Sequence, residues 1–168
     1  KYKDSADNLI VLFKKAYPDK SIADLLYLDS LFRLPSIDFV KKKSSHTESP
    51  TYSYMFAFDF PFDGGKAAWH CAEIPFVFCN TDKVPICNVP GVSDKLEAQV
   101  FGAWVSFAKY GDPNHPGIPN WPASKPDDEA VMIFDRVCEV KHNYDHELVA
   151  LHKKVTPPFN FRPRSKDD

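Results

Sequence analysis

Thr51-Tyr52-Ser53-Tyr54-Met55-Phe56-Ala57-Phe58-Asp59-Phe60 leads through the Gly64-Gly65 pair to Trp69-His70-Cys71-Ala72-Glu73-Ile74-Pro75-Phe76-Val77-Phe78. In the first stretch the aromatic residues Tyr52, Tyr54, Phe56, Phe58 and Phe60 recur at every second position, the two-residue period of a β-strand. The intervening positions include Met55 and Ala57. Apolar residues on both faces suit an interior strand covered on either side by helices. The loop after it delivers His70 to the carboxyl end of the strand, where open α/β sheets gather ligands and catalytic groups.

Working outward, Leu9, Leu12, Phe13 and Ala16 fall three or four apart and predict a helix over 7–16. Ser21 with Asp24 resembles a capping box for a second helix, which Pro35 ends or kinks, and 36–43 restarts as a third. Downstream, Leu96, Val100, Ala103, Trp104, Phe107 and Ala108 make one stripe on a helix over 94–110, with Asp94 and Glu97 as its capping box and Gly111 as its C-cap. A short strand is expected over 131–134 and a last helix over 143–153, followed by a polar tail with Pro157-Pro158 and Arg162-Pro163-Arg164. The organisation is therefore a helical segment of about 7–43, a strand and histidine loop of about 51–78, and helices and loops of about 93–155.

Composition narrows the class. The 168 residues are 43% hydrophobic and 26% charged, a balance that buries a core. A net charge of −2, with basic residues scattered apart from Lys41-Lys42-Lys43, gives no footprint for nucleic acid. No apolar run approaches the roughly 18 residues of a membrane span. The four cysteines lack the paired spacing of a zinc site. Their even count permits two disulfides, but a chain with this much apolar content does not need them, and no Asn-x-Ser/Thr acceptor is present. These last two features lean towards a cytoplasmic protein, with secretion left open, and the polar start at Lys1 reads like the middle of a longer chain.

Three clusters could carry chemistry. His70 after a glycine loop is a candidate base, set against a histidine merely bonded within a turn. Cys71 beside it is a thiol in apolar surroundings, which disfavour the thiolate, so packing is the expected role. His142 and His146 share one side if both lie on a helix, but no third ligand accompanies them, so no metal and no cofactor are expected. Neither a Gly-x-Ser-x-Gly elbow nor a phosphate-binding GxxxxGK loop occurs. If His70 is a base, its nucleophile lies elsewhere.

The stretch from His70 to Phe78 resembles the His-x-x-Glu-Leu/Ile-Pro-Phe/Tyr-Val-Phe signature of the type-B carboxylesterases, which include the cholinesterases and para-nitrobenzyl esterases. Asp29, Phe32-Arg33-Leu34-Pro35, Tyr52-Ser53-Tyr54-Met55-Phe56, Trp104 to Asn114 and Trp121-Pro122 are similar to that family's pieces in the same order. The resemblance covers roughly residues 8 to 135 and implies the C-terminal portion of an α/β-hydrolase fold. It implies His70 as the catalytic histidine and Glu73 as a residue that supports it without reacting. The serine nucleophile and the acid would belong to a preceding N-terminal segment, the expected partner, with a small carboxylic ester as substrate. The 168 residues would then be inactive alone.

Two departures bear on this resemblance. Secreted members carry a disulfide cysteine before the proline matching Pro35, where this chain has Leu34, so the likeness is closer to disulfide-poor bacterial members. Around the histidine the family usually has a glycine, replaced here by Ala67-Ala68-Trp69 and Cys71, which bears on local backbone angles. The competing class is a non-catalytic adhesion or interaction protein on the same fold, and retention of His70 favours the enzyme. A free-standing small binding domain would require a complete core from these residues alone.

Overall fold

The computed structural model describes residues 2–29, 31–46, 48–62 and 65–156; Lys1, Gly64 and the tail from Pro157 onward lie outside them. The chain divides into two compact units, one made of residues 1–39 and 144–168 and the other of Val40–Asn143.

The first unit is helical. Helix α1 (Ala6–Ala16) buries Leu9, Phe13 and Ala16, the face that the sequence spacing predicts. These residues pack with Tyr2, Leu25 and Leu148, the last from helix α5 (His146–Val155). Ser21 accepts a hydrogen bond from the Ala23 amide, but the turn it caps is a 3-10 helix, Ile22–Tyr27, rather than the expected α-helix. Pro35 does not end a helix either. It sits in the first turn of α2 (Arg33–Ser44), where a missing N–H costs nothing, and Asp29 gathers the Leu31, Phe32 and Arg33 amides ahead of it. The unit boundary falls along α2.

Within the first unit the Arg33 guanidinium grips Asp145 through Nε and Nη2 at 2.9 and 2.6 Å, and Tyr17 Oη donates to the same carboxylate at 3.0 Å. Burial, then the neighbouring Tyr144 and Asp145, push the Tyr17 phenol far above its ordinary pKa. His146 opens α5 while His142 closes a strand, so the two do not share a helix face as their spacing suggested.

The second unit holds a three-stranded sheet. Strand β1 (Ser53–Phe56) runs parallel to β2 (Ala130–Phe134), and β2 pairs antiparallel with β3 (Glu139–His142). Every residue of β2 is buried, as a strand covered on both faces must be. β1 is shorter than its alternation predicts, and among the described residues it has a strand on one side only, so it is not interior here. Past Phe56 the chain leaves the sheet, and Phe60 forms a two-way backbone bridge with Lys66 that closes the loop base. The rings continue inward all the same: Phe58, Phe60 and Phe76 are fully buried and mutually packed.

Helices α3 (Ile74–Val77) and α4 (Ser93–Tyr110) pack on one another. Leu96, Val100 and Ala103 are the buried face of α4; Trp104 is half-buried and Phe107 is 50% exposed, so the apolar stripe is narrower than expected. No side chain caps its start. Glu97 instead accepts from the Thr81 amide at 2.8 Å and from the Cys79 thiol, tying down the chain that leaves α3. Gly111 ends α4 at φ +72°, as the sequence predicts. Beyond it Asn114 bonds the Trp121 backbone in both directions, its Oδ1 accepting from the amide and its Nδ2 donating to the carbonyl. Trp121 is thereby seated in the core with its indole N–H on the Ala130 carbonyl. Among the described residues no helix is long and apolar enough to cross a membrane.

Candidate active site

His70 is exposed on the turn that precedes α3, at the far side of the loop that follows β1. The turn is fixed from both directions. Before it, Trp69 stacks on Phe60 at 4.7 Å between ring centres and on Phe62 at 6.0 Å. After it, Phe76 is buried against Phe56 and Phe58, so one short helix anchors the turn in the aromatic core. The Ala72 amide donates to Trp69 and the Ile74 amide to Cys71, closing the backbone around the histidine.

Cys71 takes φ +71°, in the left-handed region that favours glycine. This is the position beside the histidine where a cysteine replaces a usual glycine, and the backbone keeps the glycine-like angle. Cys79, at the other end of α3, also has positive φ, and its bond to Glu97 pushes its thiol pKa up. The raised thiol pKa argues against Cys79 as a nucleophile. Cys71 and Cys79 are both exposed rather than packed as the sequence suggested, because each sits on a turn at an end of the short helix α3, whose buried residue is Phe76.

Glu73 precedes the first residue of α3, and its carbonyl receives the Phe76 and Val77 amides. Its carboxylate accepts from Tyr54 Oη at 3.4 Å. Burial, followed by the negative charge of Glu73, raises the Tyr54 phenol to about 12. The sequence marks Tyr54 as a strand residue within the Tyr52–Phe56 piece. Nothing in local spacing links it to a carboxylate 19 positions later.

The nearest approach to a nucleophile elbow is Gly91-Val92-Ser93, which has Lys95 where the second glycine would stand. Ser93 is 1% exposed, and its hydroxyl receives the Val89 amide and donates to the Cys87 carbonyl. That serine closes a loop and is not poised to attack. A second buried pair, Ser53 Oγ to Glu129 Oε1 at 2.6 Å, braces the start of β1 against the residue before β2.

A parallel pair β1–β2 crossed over through helices, with a histidine turn at the carboxyl end of β1, is the layout of an α/β-hydrolase sheet end. The sequence profile of the carboxylesterase family matches residues 15–151, and the chain belongs to that family. Its fold is that part of the α/β-hydrolase architecture. It is 37% identical over 93 residues to phenmedipham hydrolase of Pseudarthrobacter oxydans, covering 52% of this chain and 19% of that protein. Para-nitrobenzyl esterase of Bacillus subtilis is 27% identical over 122 residues, 71% of this chain and 24% of the relative. A solved esterase from Clostridium hathewayi, described as hydrolysing aliphatic aromatic polyesters, superposes with a TM-score of 0.86 at 49% identity, over 92% of this chain and 31% of that one. The chain therefore spans between about a fifth and a third of the length of these relatives.

Proposed function

We propose that this chain supplies the histidine of a serine carboxylesterase, with His70 as general base and the nucleophilic serine and acid on a preceding segment of the same protein. The observation that supports this most is His70 held, exposed, on a rigid turn at the carboxyl end of a parallel strand. An exposed imidazole on an anchored turn meets the requirement of a base that must take a proton from a serine on another element and return it to the leaving alcohol. The acid partner would fix its tautomer, and backbone amides of the preceding segment would stabilise the oxyanion, where loss of one donor costs about 3 kcal/mol in comparable enzymes.

The substrate class is a carboxylic ester of modest size, in line with relatives named for para-nitrobenzyl, phenmedipham and polyester hydrolysis. Glu73 stays out of the chemistry and stabilises the turn. The side of β1 that has no strand among the described residues would take its next strand from the preceding segment, since a strand edge is a template for pairing.

The test is to express residues 1–168 with and without the preceding segment and assay short-chain aryl esters. Hydrolysis, and labelling by a serine-directed fluorophosphonate, are expected only when both parts are present. A monodisperse 1–168 that unfolds cooperatively and hydrolyses esters by itself would overturn the proposal.

A further inference from the structure

Tyr54 connects three things that the sequence keeps apart. Its ring stands edge-on to Trp104 of α4 with centres 4.8 Å apart and to Phe134 of β2 at 6.1 Å. Its backbone is in register with Met132 in the parallel pair β1–β2. Its hydroxyl reaches the His70 turn, where it donates to Glu73. The ring thus packs on the sheet and α4, and its hydroxyl bonds the turn.

We propose that Tyr54 is a positioning residue for His70, its phenol O–H holding Glu73 so that the turn carrying the histidine keeps one orientation. This rests on the reading of His70 as the catalytic base. The turn needs an external tie. Its second residue, Cys71, sits in a backbone region unfavourable to a side chain, so the turn does not hold this shape by local preference alone. Glu73 is the one residue of the turn that is both fixed by helix hydrogen bonds of its backbone and free to extend a carboxylate to the sheet. A base that must approach a serine within hydrogen-bond distance loses rate when its mount loosens, whereas ground-state binding of the ester is unaffected.

The experiment compares Tyr54→Phe, Glu73→Leu, the double variant and His70→Ala in the ester-hydrolysing protein, with kcat, KM and melting temperature measured for each. Phenylalanine retains the ring contacts and removes only the hydrogen bond. Tyr54→Phe should lower kcat about fivefold, the worth of one modest hydrogen bond, with KM and melting temperature unchanged. Glu73→Leu should do the same, and the double variant should lose no more than the larger single loss. Unchanged kcat in Tyr54→Phe while His70→Ala is inactive would overturn the positioning role and leave His70 standing. Multiplying losses in the double variant would overturn it as well, and full activity in His70→Ala would remove the reading of His70 and this inference with it.

Discussion

Arg33 and Asp145 form a two-bond ion pair across 112 residues of sequence, both side chains almost wholly buried. Tyr17 completes the carboxylate's bonding. Removing one member of such a pair strands a charge, so Asp145→Ala should cost about 3–5 kcal/mol. The exposed Lys15–Glu147 pair of the same unit, at 2.8 Å, is the internal control, and Glu147→Ala should leave stability close to the parent's, because solvent screens such a pair. Chemical denaturation of the two variants measures both. Equal costs would show that burial does not govern this pair.

Cys71 offers the opposite sign. A side chain at φ +71° carries about 1–2 kcal/mol of strain, while glycine adds about 0.5–1 kcal/mol of unfolded-state entropy. Cys71→Gly should therefore raise stability by about 0.5–1 kcal/mol and leave ester hydrolysis intact. A destabilised or inactive variant would show that the thiol contributes to the turn or to the chemistry.

Gly102 lies in α4 because His115 lies against it. A Cβ there would fall 2.6 Å from His115 Cε1, in a ring held by the Gln99 carbonyl at Nε2 and the Gly117 amide at Nδ1. Gly102→Ala ordinarily strengthens a helix, yet here it should destabilise by about 1–3 kcal/mol as the ring is displaced. Pairing it with His115→Ala should restore the helix gain, which a thermal melt series reads directly.

The Tyr54 phenol should ionise near pH 12, above the ordinary value near 10. Because the folded state keeps this proton longer than the unfolded chain does, stability is fully present below about pH 10 and falls as the pH rises through that window. Ultraviolet titration of tyrosinate should show the late step, absent in Tyr54→Phe. An identical titration in both would place Tyr54 in solvent, away from Glu73.

Much of this arrangement is visible in the order of side chains. The alternation of Tyr52, Tyr54 and Phe56 marks β1, the apolar run of Val131 to Phe134 marks β2, and Gly111 marks the end of α4. Other parts are not, for physical reasons. Strand β3 reads Glu-Val-Lys-His, half-exposed residues with no apolar alternation, and exists because β2 gives it a ladder. Pro35 looks like a helix stop, and only the position of Asp29 shows that the helix begins around it. Glu97 has capping-box spacing, but its carboxylate is taken by the Thr81 amide from another segment. The motif around His70 marks it in the sequence as a candidate base. Its tie through Tyr54 and Glu73 depends on where the backbone travels between positions 54 and 73, which no local pattern records.

The most direct measurement of the central claim is the turnover of a short-chain aryl ester by the complete protein carrying His70→Ala. Loss of a triad member predicts a fall in kcat of at least about a thousandfold, with folding unchanged and Cys71→Ser nearly silent beside it. Hydrolysis by His70→Ala at the parent rate would contradict the account and move the base to another residue.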